Sequence, residues 1–327
     1  MTTVLVTGGT GFIGRPLVQA LLARGDRVRC LVRASRPPDG AEPVPGDITQ
    51  PNTLPEALRG VDVVYHLAGA TLVWHPVVYR RANALGTRNL ARACAEQPRP
   101  PLVVYLSSLA AAGPAVDGRP RTEDDPPRPA SYYGRSKLGG ERALAEVADR
   151  VPGTVVRACA TVGPGDPNGI RLFQAAKVGV NGVPGTPDFR LAMIYVEDVV
   201  RALLLAADRG ARLNGDGRTG VYFAAMERQA TLGELGQLAG DAIGNPRVKT
   251  VGLPRWFARL WGGGLDLFVA VTGQKRLLTT DRIREAYAGS WTCRTDKARD
   301  ELGFTCQVGL ADGFARTVAW YRAHGWL

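Results

Sequence analysis

Residues that commonly form metal sites and disulfides are scarce in this sequence. Among its 327 residues there are only five cysteines and three histidines. The cysteines form no CxxC pair and their number is odd, and no two histidines have the HExxH spacing of zinc peptidases. We therefore expect reduced thiols and no metal centre.

Lysine is also rare, although the chain is basic. Arginine and lysine together number 41 against 30 acidic residues, a formal charge of +11, yet only five of these cations are lysine. The arginines are scattered instead of forming runs, and no module of basic and aromatic residues accompanies them. We expect no nucleic-acid partner.

The sequence has no segment typical of a secretory signal or a membrane span. A strand pattern begins within the first residues, without a basic leader, an apolar stretch or a cleavage site, so a cytoplasmic protein is expected. The apolar segment Leu253–Thr272 contains Arg255, Arg259 and Asp266 and three successive glycines, which makes it a poor transmembrane helix.

Hydrophobic patterns predict an α/β fold. Short apolar runs at Val4–Val6, Val28–Val32, Val61–Leu67 and Leu102–Leu106 are typical of strands, and segments of helical periodicity separate them. Such alternation predicts a doubly wound parallel sheet, because right-handed crossovers pair the strands in parallel. The sheet domain is assigned to residues 1–163 and about 191–225, and a smaller, mainly helical lobe to residues 164–190 and 226–327. Helices with little strand character are expected in that lobe at Leu232–Ile243, Trp256–Thr272, Thr280–Ala286 and Ala311–His324.

A glycine cluster separates the first strand from the first helix. Gly8, Gly11 and Gly14 have the spacing GxxGxxG. Glycine permits a tight turn and lets the backbone approach a pyrophosphate, and the following helix offers free N–H groups and the positive end of its dipole. The context predicts a dinucleotide-binding turn; the alternative is a glycine-rich turn without a ligand.

The second strand lacks the acidic residue that would bind the ribose hydroxyls of NAD. Arg33 stands at that position and Arg36 follows. A guanidinium pairs well with the 2′-phosphate of NADP, so NADP(H) is favoured over NAD(H), and solvated surface arginines are the alternative. Asp47 either accepts a hydrogen bond from the adenine amino group or caps the next helix.

Three residues with suitable chemistry follow on two adjacent elements. Tyr133 and Lys137 are four apart on a predicted helix and therefore share one face. A nearby ammonium favours a phenolate, as a general acid/base near neutral pH requires. The predicted strand before them ends in Ser107 and Ser108, and the hydroxyl of one of these can hydrogen-bond a substrate carbonyl.

The chain resembles, almost from end to end, the extended short-chain dehydrogenases/reductases of the NAD-dependent epimerase/dehydratase group, and within it the hydroxysteroid dehydrogenase and dihydroflavonol reductase type. The motifs are TGGTGFIG at 7–14, GDIT at 46–49, HLAG at 66–69, NALGTRNL at 83–90, YLSS at 105–108, PASYYGRSK at 129–137 and YVEDVVRA at 195–202.

The resemblance implies a role for each matched residue. Tyr133 would be the acid/base, Lys137 would promote its ionisation and bind the nicotinamide ribose, and Ser108, with Ser107 in reserve, would polarise the carbonyl. Asn83 would lie beside the nicotinamide. A homodimer through the helices bearing Asn83 and Tyr133 is implied as well. The implied cofactor contacts are Gly8, Thr10, Gly11, Phe12, Ile13, Gly14, Arg33, Arg36, Asp47, Ile48, Leu67, Ala68, Gly69 and Lys137.

The sequence also bears on the substrate. Many sugar-nucleotide members have an asparagine three residues after the arginine that ends the strand before a GP turn, whereas here Ala160 follows Arg157 at that spacing. The apolar segment Leu253–Thr272 would wall a pocket for a hydrophobic substrate or rest on a membrane surface, with ordinary core as the alternative. The expected substrate contacts are Ser108, Tyr133, Thr161 and Trp74.

The leading hypothesis is an NADP(H)-dependent oxidoreductase that reduces a carbonyl, or oxidises a hydroxyl, on an apolar molecule such as a steroid, terpenoid or polyketide. The alternatives are an NAD-dependent epimerase or dehydratase of nucleotide sugars and a non-catalytic dinucleotide-binding protein.

Overall fold

A computed structural model describes residues 1–71, 75–256 and 280–327. The strands in these residues are β1 (Thr3–Thr7), β2 (Arg27–Val32), β3 (Glu42–Pro45), β4 (Val63–His66), β5 (Leu102–Ser108), β6 (Gly153–Ala158), β7 (Ala160–Val162), β8 (Val180–Pro184), β9 (Arg190–Leu191), β10 (Met193–Tyr195), β11 (Val221–Ala224), β12 (Ala230–Thr231) and β13 (Lys249–Leu253). The helices are α1 (Gly14–Ala23), α2 (Leu54–Ala57), α3 (Pro76–Tyr79), α4 (Gly86–Ala95), α5 (Leu109–Ala112), α6 (Tyr132–Ala145), α7 (Ile170–Val178), α8 (Val196–Arg209), α9 (Leu232–Ile243), α10 (Thr280–Ala286), α11 (Asp296–Leu302) and α12 (Leu310–Ala323).

Seven of the strands form one parallel sheet, in the order β11–β6–β5–β4–β1–β2–β3. The predicted doubly wound fold is therefore confirmed. From β1 the chain first builds β2 and β3 on one side and then crosses to β4 on the other. Such a reversal opens a crevice at the carboxyl ends of the two central strands, which is where ligands bind in folds of this type.

Helices cover both faces of the sheet, as the apolar central strands require. On one face α1, α8 and α11 contribute side chains to a core that includes Leu17, Leu21, Val199, Leu203 and Leu302. On the other face α2, α4 and α6 contribute Leu54, Ala57, Leu90, Cys94 and Leu144. The two cores fix the central strands from both sides and leave the loops at their carboxyl ends to form the crevice.

A third core belongs to α7, α9 and α12, where Phe173 packs edge-on against Phe314 and Tyr321. The helices predicted at Leu232–Ile243 and Thr280–Ala286 are confirmed, and the one at Ala311–His324 is observed as α12.

The expectation of little strand character in this lobe is wrong. After the helix that ends at Ile243, the segment KTVGL forms the strand β13, which pairs in parallel with β8. The helix predicted for Trp256–Thr272 lies almost entirely outside the described residues, and the domain boundaries stay a prediction. Within the described ranges, no helix is long and apolar enough to cross a membrane.

Candidate active site

The glycine turn brings three backbone segments into direct contact. Gly8 has φ +75°, and a Cβ placed on it would lie 2.7 Å from the backbone nitrogen of Ala68, in the loop after β4. A Cβ on Gly14 would overlap the carbonyl oxygen of Gly8. The amide of Gly11 donates to that same carbonyl at 3.0 Å. Only glycine fits where the turn, the start of α1 and the β4 loop meet in this way.

The first turn of α1 is open to an anion. The helix has no side-chain N-cap and no acidic residue in its first turn, so the chain places no carboxylate at the positive end of its dipole. Nearby, the Arg15 guanidinium donates to the Thr10 carbonyl at 3.1 Å, while Phe12 and Ile13 are half-buried at the base of the turn. A cradle of backbone donors that excludes side chains fits the pyrophosphate of a dinucleotide.

The end of β2 presents its two arginines differently. Arg33 is exposed and has no acidic partner among the described residues. Arg36 is also exposed, but its guanidinium pairs with Asp39 at 3.0 Å. Of the two predicted phosphate ligands, Arg33 therefore offers the more available guanidinium.

Asp47 and Ile48 line the loop after β3. One carboxylate oxygen of Asp47 accepts from the backbone amide of Thr49 at 2.8 Å and from its hydroxyl at 2.9 Å. This turn engages the carboxylate locally, but Asp47 does not cap the next helix, which follows Gln50 and has no side-chain cap; the contact with adenine stays a prediction. Ile48 is buried against Gly86, at the start of α4.

Asn83 fastens the loop that follows β4. Its side-chain oxygen accepts from the Ala70 amide at 2.7 Å, and its amide group donates to the Ala70 carbonyl and to the Ser136 hydroxyl, both at 2.9 Å. Asn83 lies in a π-helical stretch, Arg80–Leu85, that precedes α4. Because both amide protons are used, Asn83 positions the loop of Leu67, Ala68 and Gly69; its predicted place beside the nicotinamide stays a prediction.

A buried histidine links this loop to the glycine turn. His66 at the end of β4 contacts the Thr7 hydroxyl through Nδ1 at 2.7 Å and the Thr87 hydroxyl through Nε2 at 2.9 Å. Since Thr87 donates its own proton to the Asn83 carbonyl, Nε2 carries the histidine proton and Nδ1 accepts from Thr7. Burial, together with the neighbouring Lys137 charge, lowers the pKa of His66 to about 3, so the ring is neutral.

The predicted catalytic pair lies at the carboxyl edge of the sheet. Lys137 is buried, and its ammonium donates to the Leu106 carbonyl at 2.6 Å and lies 4.7 Å above the Tyr105 ring. Burial lowers the pKa of Lys137 to about 8, against the opposing effect of the Glu141 carboxylate. Tyr133, one turn earlier on α6, is half-buried, and its ring lies 5.7 Å from that of Tyr79.

Ser108 and Ser107 play different parts in this geometry. The Ser108 hydroxyl accepts from the Ala110 amide at 3.2 Å and is only partly buried, so its proton can be donated elsewhere. Ser107 is buried and donates to the Glu141 carboxylate at 2.5 Å. The geometry therefore favours Ser108, not the reserve Ser107, as the residue that faces a substrate.

An ion pair that the sequence did not predict supports α6, the helix that bears Tyr133 and Lys137. Arg157 on β6 is 1% exposed and binds both carboxylate oxygens of Glu141, at 2.9 and 2.7 Å. Glu141 is four residues after Lys137 on α6, so the pair fixes the face of the helix that holds the ammonium. An arginine within the otherwise apolar strand GTVVRA was the available signal, because a fully buried guanidinium requires a partner.

The substrate side of the site is only partly described. Thr161 on β7 is half-buried, and its hydroxyl donates to the Cys159 carbonyl at 3.1 Å. Ala160 is exposed, and its methyl side chain offers no amide group to a substrate. The proposed contact Trp74 lies outside the described residues.

Comparison with known proteins agrees with this geometry. The model of the family described as "NAD dependent epimerase/dehydratase family" matches residues 4–218. The chain belongs to this family. Its members are NAD(P)-dependent enzymes of the extended short-chain dehydrogenase/reductase type, and so is this protein.

The names of similar proteins refer to different substrates. A ceramide reductase of Caulobacter vibrioides is 34% identical over 99% of this chain and 96% of its own length. A putative dihydroflavonol 4-reductase of Synechocystis is 30% identical over 98% of this chain and 95% of its own. The solved structure of MoeE5 with UDP-glucuronic acid and NAD is 28% identical, covers 98% of this chain and 99% of its own, and has a TM-score of 0.76.

Proposed function

We propose that this protein is an NADP(H)-dependent reductase that reduces a carbonyl group, or oxidises the corresponding hydroxyl, on an apolar substrate such as a steroid, terpenoid or polyketide. The observation that carries the proposal is Arg33, exposed at the carboxyl end of β2 where an NAD enzyme would have an acid. A guanidinium there favours binding of the 2′-phosphate of NADP(H). A cofactor that is released and replaced by NADPH after each turnover supports net reduction. Epimerases, by contrast, retain their cofactor and return the hydride.

The residues of the site divide the remaining work of a reduction. The bound cofactor supplies the hydride. Tyr133 donates the proton that the carbonyl oxygen gains, and Ser108, whose hydroxyl proton is available, donates a hydrogen bond to that oxygen. Lys137, held at the Leu106 carbonyl, stabilises the phenolate left on Tyr133 with its positive charge.

An apolar substrate is supported by two observations. Ala160 stands where an asparagine would bind the pyrophosphate of a nucleotide sugar, so that contact is absent from the chain. The relative that is 34% identical is named a ceramide reductase, which places a lipid among the substrates of a similar chain. A homodimer through the helical segments bearing Asn83 and Tyr133 stays an expectation.

The cofactor part is tested by titrating the protein with NADPH and NADH. We expect tighter binding of NADPH, and Arg33→Ser should weaken NADPH binding about tenfold while leaving NADH unchanged, since a charge-assisted bond to the phosphate is lost. Arg36→Ser is the matched control and should have a smaller effect, because Arg36 pairs with Asp39. Equal loss for both cofactors would contradict the assignment of Arg33.

The chemical part is tested by a panel of sterols and other apolar ketones with NADPH. Turnover should be abolished in Tyr133→Phe, which keeps the ring but not the proton, while NADPH binding is retained. Undiminished turnover in that variant would show that the proton comes from elsewhere.

The second candidate is an epimerase or dehydratase of a nucleotide sugar, which the likeness to MoeE5 with its sugar nucleotide and NAD favours. It predicts NAD retained through purification and saturable binding of UDP-glucose. Absence of both, together with reduction of an apolar ketone, would exclude it.

A further inference from the structure

In the described part of the chain, the small sheet formed by β8 and β13 packs one face on α9, and valines of its other face are exposed. In the register of β8 and β13, Asn181 lies opposite Thr250, and both contact α9, where a Cβ on Gly236 would lie 2.6 Å from Asn181 and 2.5 Å from Thr250. Because side chains alternate along a strand, Val180 and Val251 project from the opposite face.

Val180 and Val251 on that outer face are exposed, and so are Val178 at the end of α7 and Trp256 after β13. The exposed fractions are 82% for Val178, 51% for Val180, 48% for Val251 and 64% for Trp256. Four of the nine large exposed hydrophobic residues of the described chain are thus on two neighbouring strands and their flanks. Scattered exposed side chains are ordinary in a folded protein, but such a cluster indicates an interaction surface.

The same surface is positively charged. Residues 167–187 and 242–256 contain no aspartate or glutamate. Lys249 lies directly opposite Val180 in the sheet, and Lys177 precedes Val178. Arg247 and Arg255 flank β13, and all four cations are exposed, with no ion pair among the described residues. We call these eight residues the basic apolar patch: Val178, Val180, Val251, Trp256, Lys177, Arg247, Lys249 and Arg255.

We propose that the basic apolar patch docks the protein on the surface of an anionic phospholipid membrane. Valines and a tryptophan can enter the boundary between headgroups and acyl chains, while neighbouring lysine and arginine groups remain at the level of the lipid phosphates. A nucleic acid would call for several aromatic stacking surfaces, whereas the patch has one. An acidic protein with an apolar centre is the other occupant that this chemistry could match, and the experiment below separates the two.

Docking of this kind depends on both charge and insertion. Each cation near an anionic lipid surface increases partitioning about fivefold, and salt weakens that contribution. The proposal does not rest on the proposed reaction, because binding is measured without a substrate.

The experiment is flotation of the purified protein with vesicles of phosphatidylcholine alone or of phosphatidylcholine and phosphatidylglycerol in equal amounts. We expect binding to the anionic vesicles only, reduced by added salt. Lys177→Glu/Lys249→Glu should lower this binding more than tenfold. The matched control, Arg99→Glu/Arg218→Glu, makes the same change of net charge at exposed arginines in the loops before β5 and β11 and should bind like the wild type.

A second variant tests the apolar contribution. Val178→Ser/Val251→Ser changes only exposed side chains, so it should fold normally, as checked by circular dichroism, and should bind anionic vesicles several times more weakly. The proposal is overturned if the wild type does not bind anionic vesicles, or if both charge variants lose binding equally, which would indicate a non-specific effect of net charge. Binding of an acidic protein to the patch, with no binding of the protein to vesicles, would also overturn it.

Discussion

Lys137 offers a direct test of how the active-site charge affects stability. Its ordinary pKa of 10.5 falls to about 8 in the fold because burial removes water from the ammonium. That difference corresponds to a cost of about 3 kcal/mol for keeping the group charged near neutral pH. In the proposed mechanism this charge serves the chemistry, so we expect the protein to gain stability when it is removed.

The substitution Lys137→Met removes the charge and keeps a long, flexible side chain. It gives up the hydrogen bond to the Leu106 carbonyl and the contact with the Tyr105 ring, together worth about 1–2 kcal/mol. We therefore expect a free energy of unfolding about 1–2 kcal/mol higher than that of the wild type near pH 7, with turnover abolished.

Urea unfolding at about pH 7 and about pH 10 measures this effect. A lysine whose pKa is lowered in the fold binds fewer protons there than in the unfolded chain, so wild-type stability rises between about pH 8 and 10.5. The variant lacks that rise, and its advantage should disappear or reverse at the higher pH. The exposed Lys177→Met is the control. An advantage that is absent at pH 7, or that does not change with pH, would refute the reasoning.

Three further changes test other parts of the site. Gly14→Ala forces a Cβ onto the Gly8 carbonyl, so the melting temperature should fall and the stabilisation by added NADPH should be lost. Glu141→Gln leaves the Arg157 guanidinium buried without its counter-charge, which should cost about 3–5 kcal/mol in urea unfolding, whereas Glu141→Gln/Arg157→Met should recover most of it. Burial lowers the pKa of His66 to about 3, so wild-type stability should fall as pH decreases from about 6.5 toward 3; His66→Gln should flatten this slope, and an unchanged slope would contradict a neutral buried ring.

The features that the sequence predicts well are those in which neighbouring residues determine the geometry. The glycine turn lies within one strand–turn–helix unit, and Tyr133 and Lys137 share a single helix, so spacing alone places them. The parallel pairing of the central strands follows from the alternation of strands and helices.

The features that it misses depend on partners that are distant in sequence or on weak local patterns. Arg157 meets Glu141 across a strand and a helix, and Asn83 meets Ala70 and Ser136 from three separate segments. The edge strand Glu42–Pro45 contains two prolines, which normally argue against a strand and are tolerated here because the strand is at the edge of the sheet.

The backbone contacts around Gly8 have a consequence for how this protein can diversify. At Gly8 and Gly14 an added methyl group meets main-chain atoms that no rotamer change can move aside. Arg33, in contrast, extends into solvent, where most substitutions carry little cost. A mutational library would therefore find the turn almost invariant and the end of β2 permissive. Related proteins could change their preference between NAD and NADP through substitutions at the end of β2. The glycine turn, which would hold the pyrophosphate that both dinucleotides share, would stay unchanged.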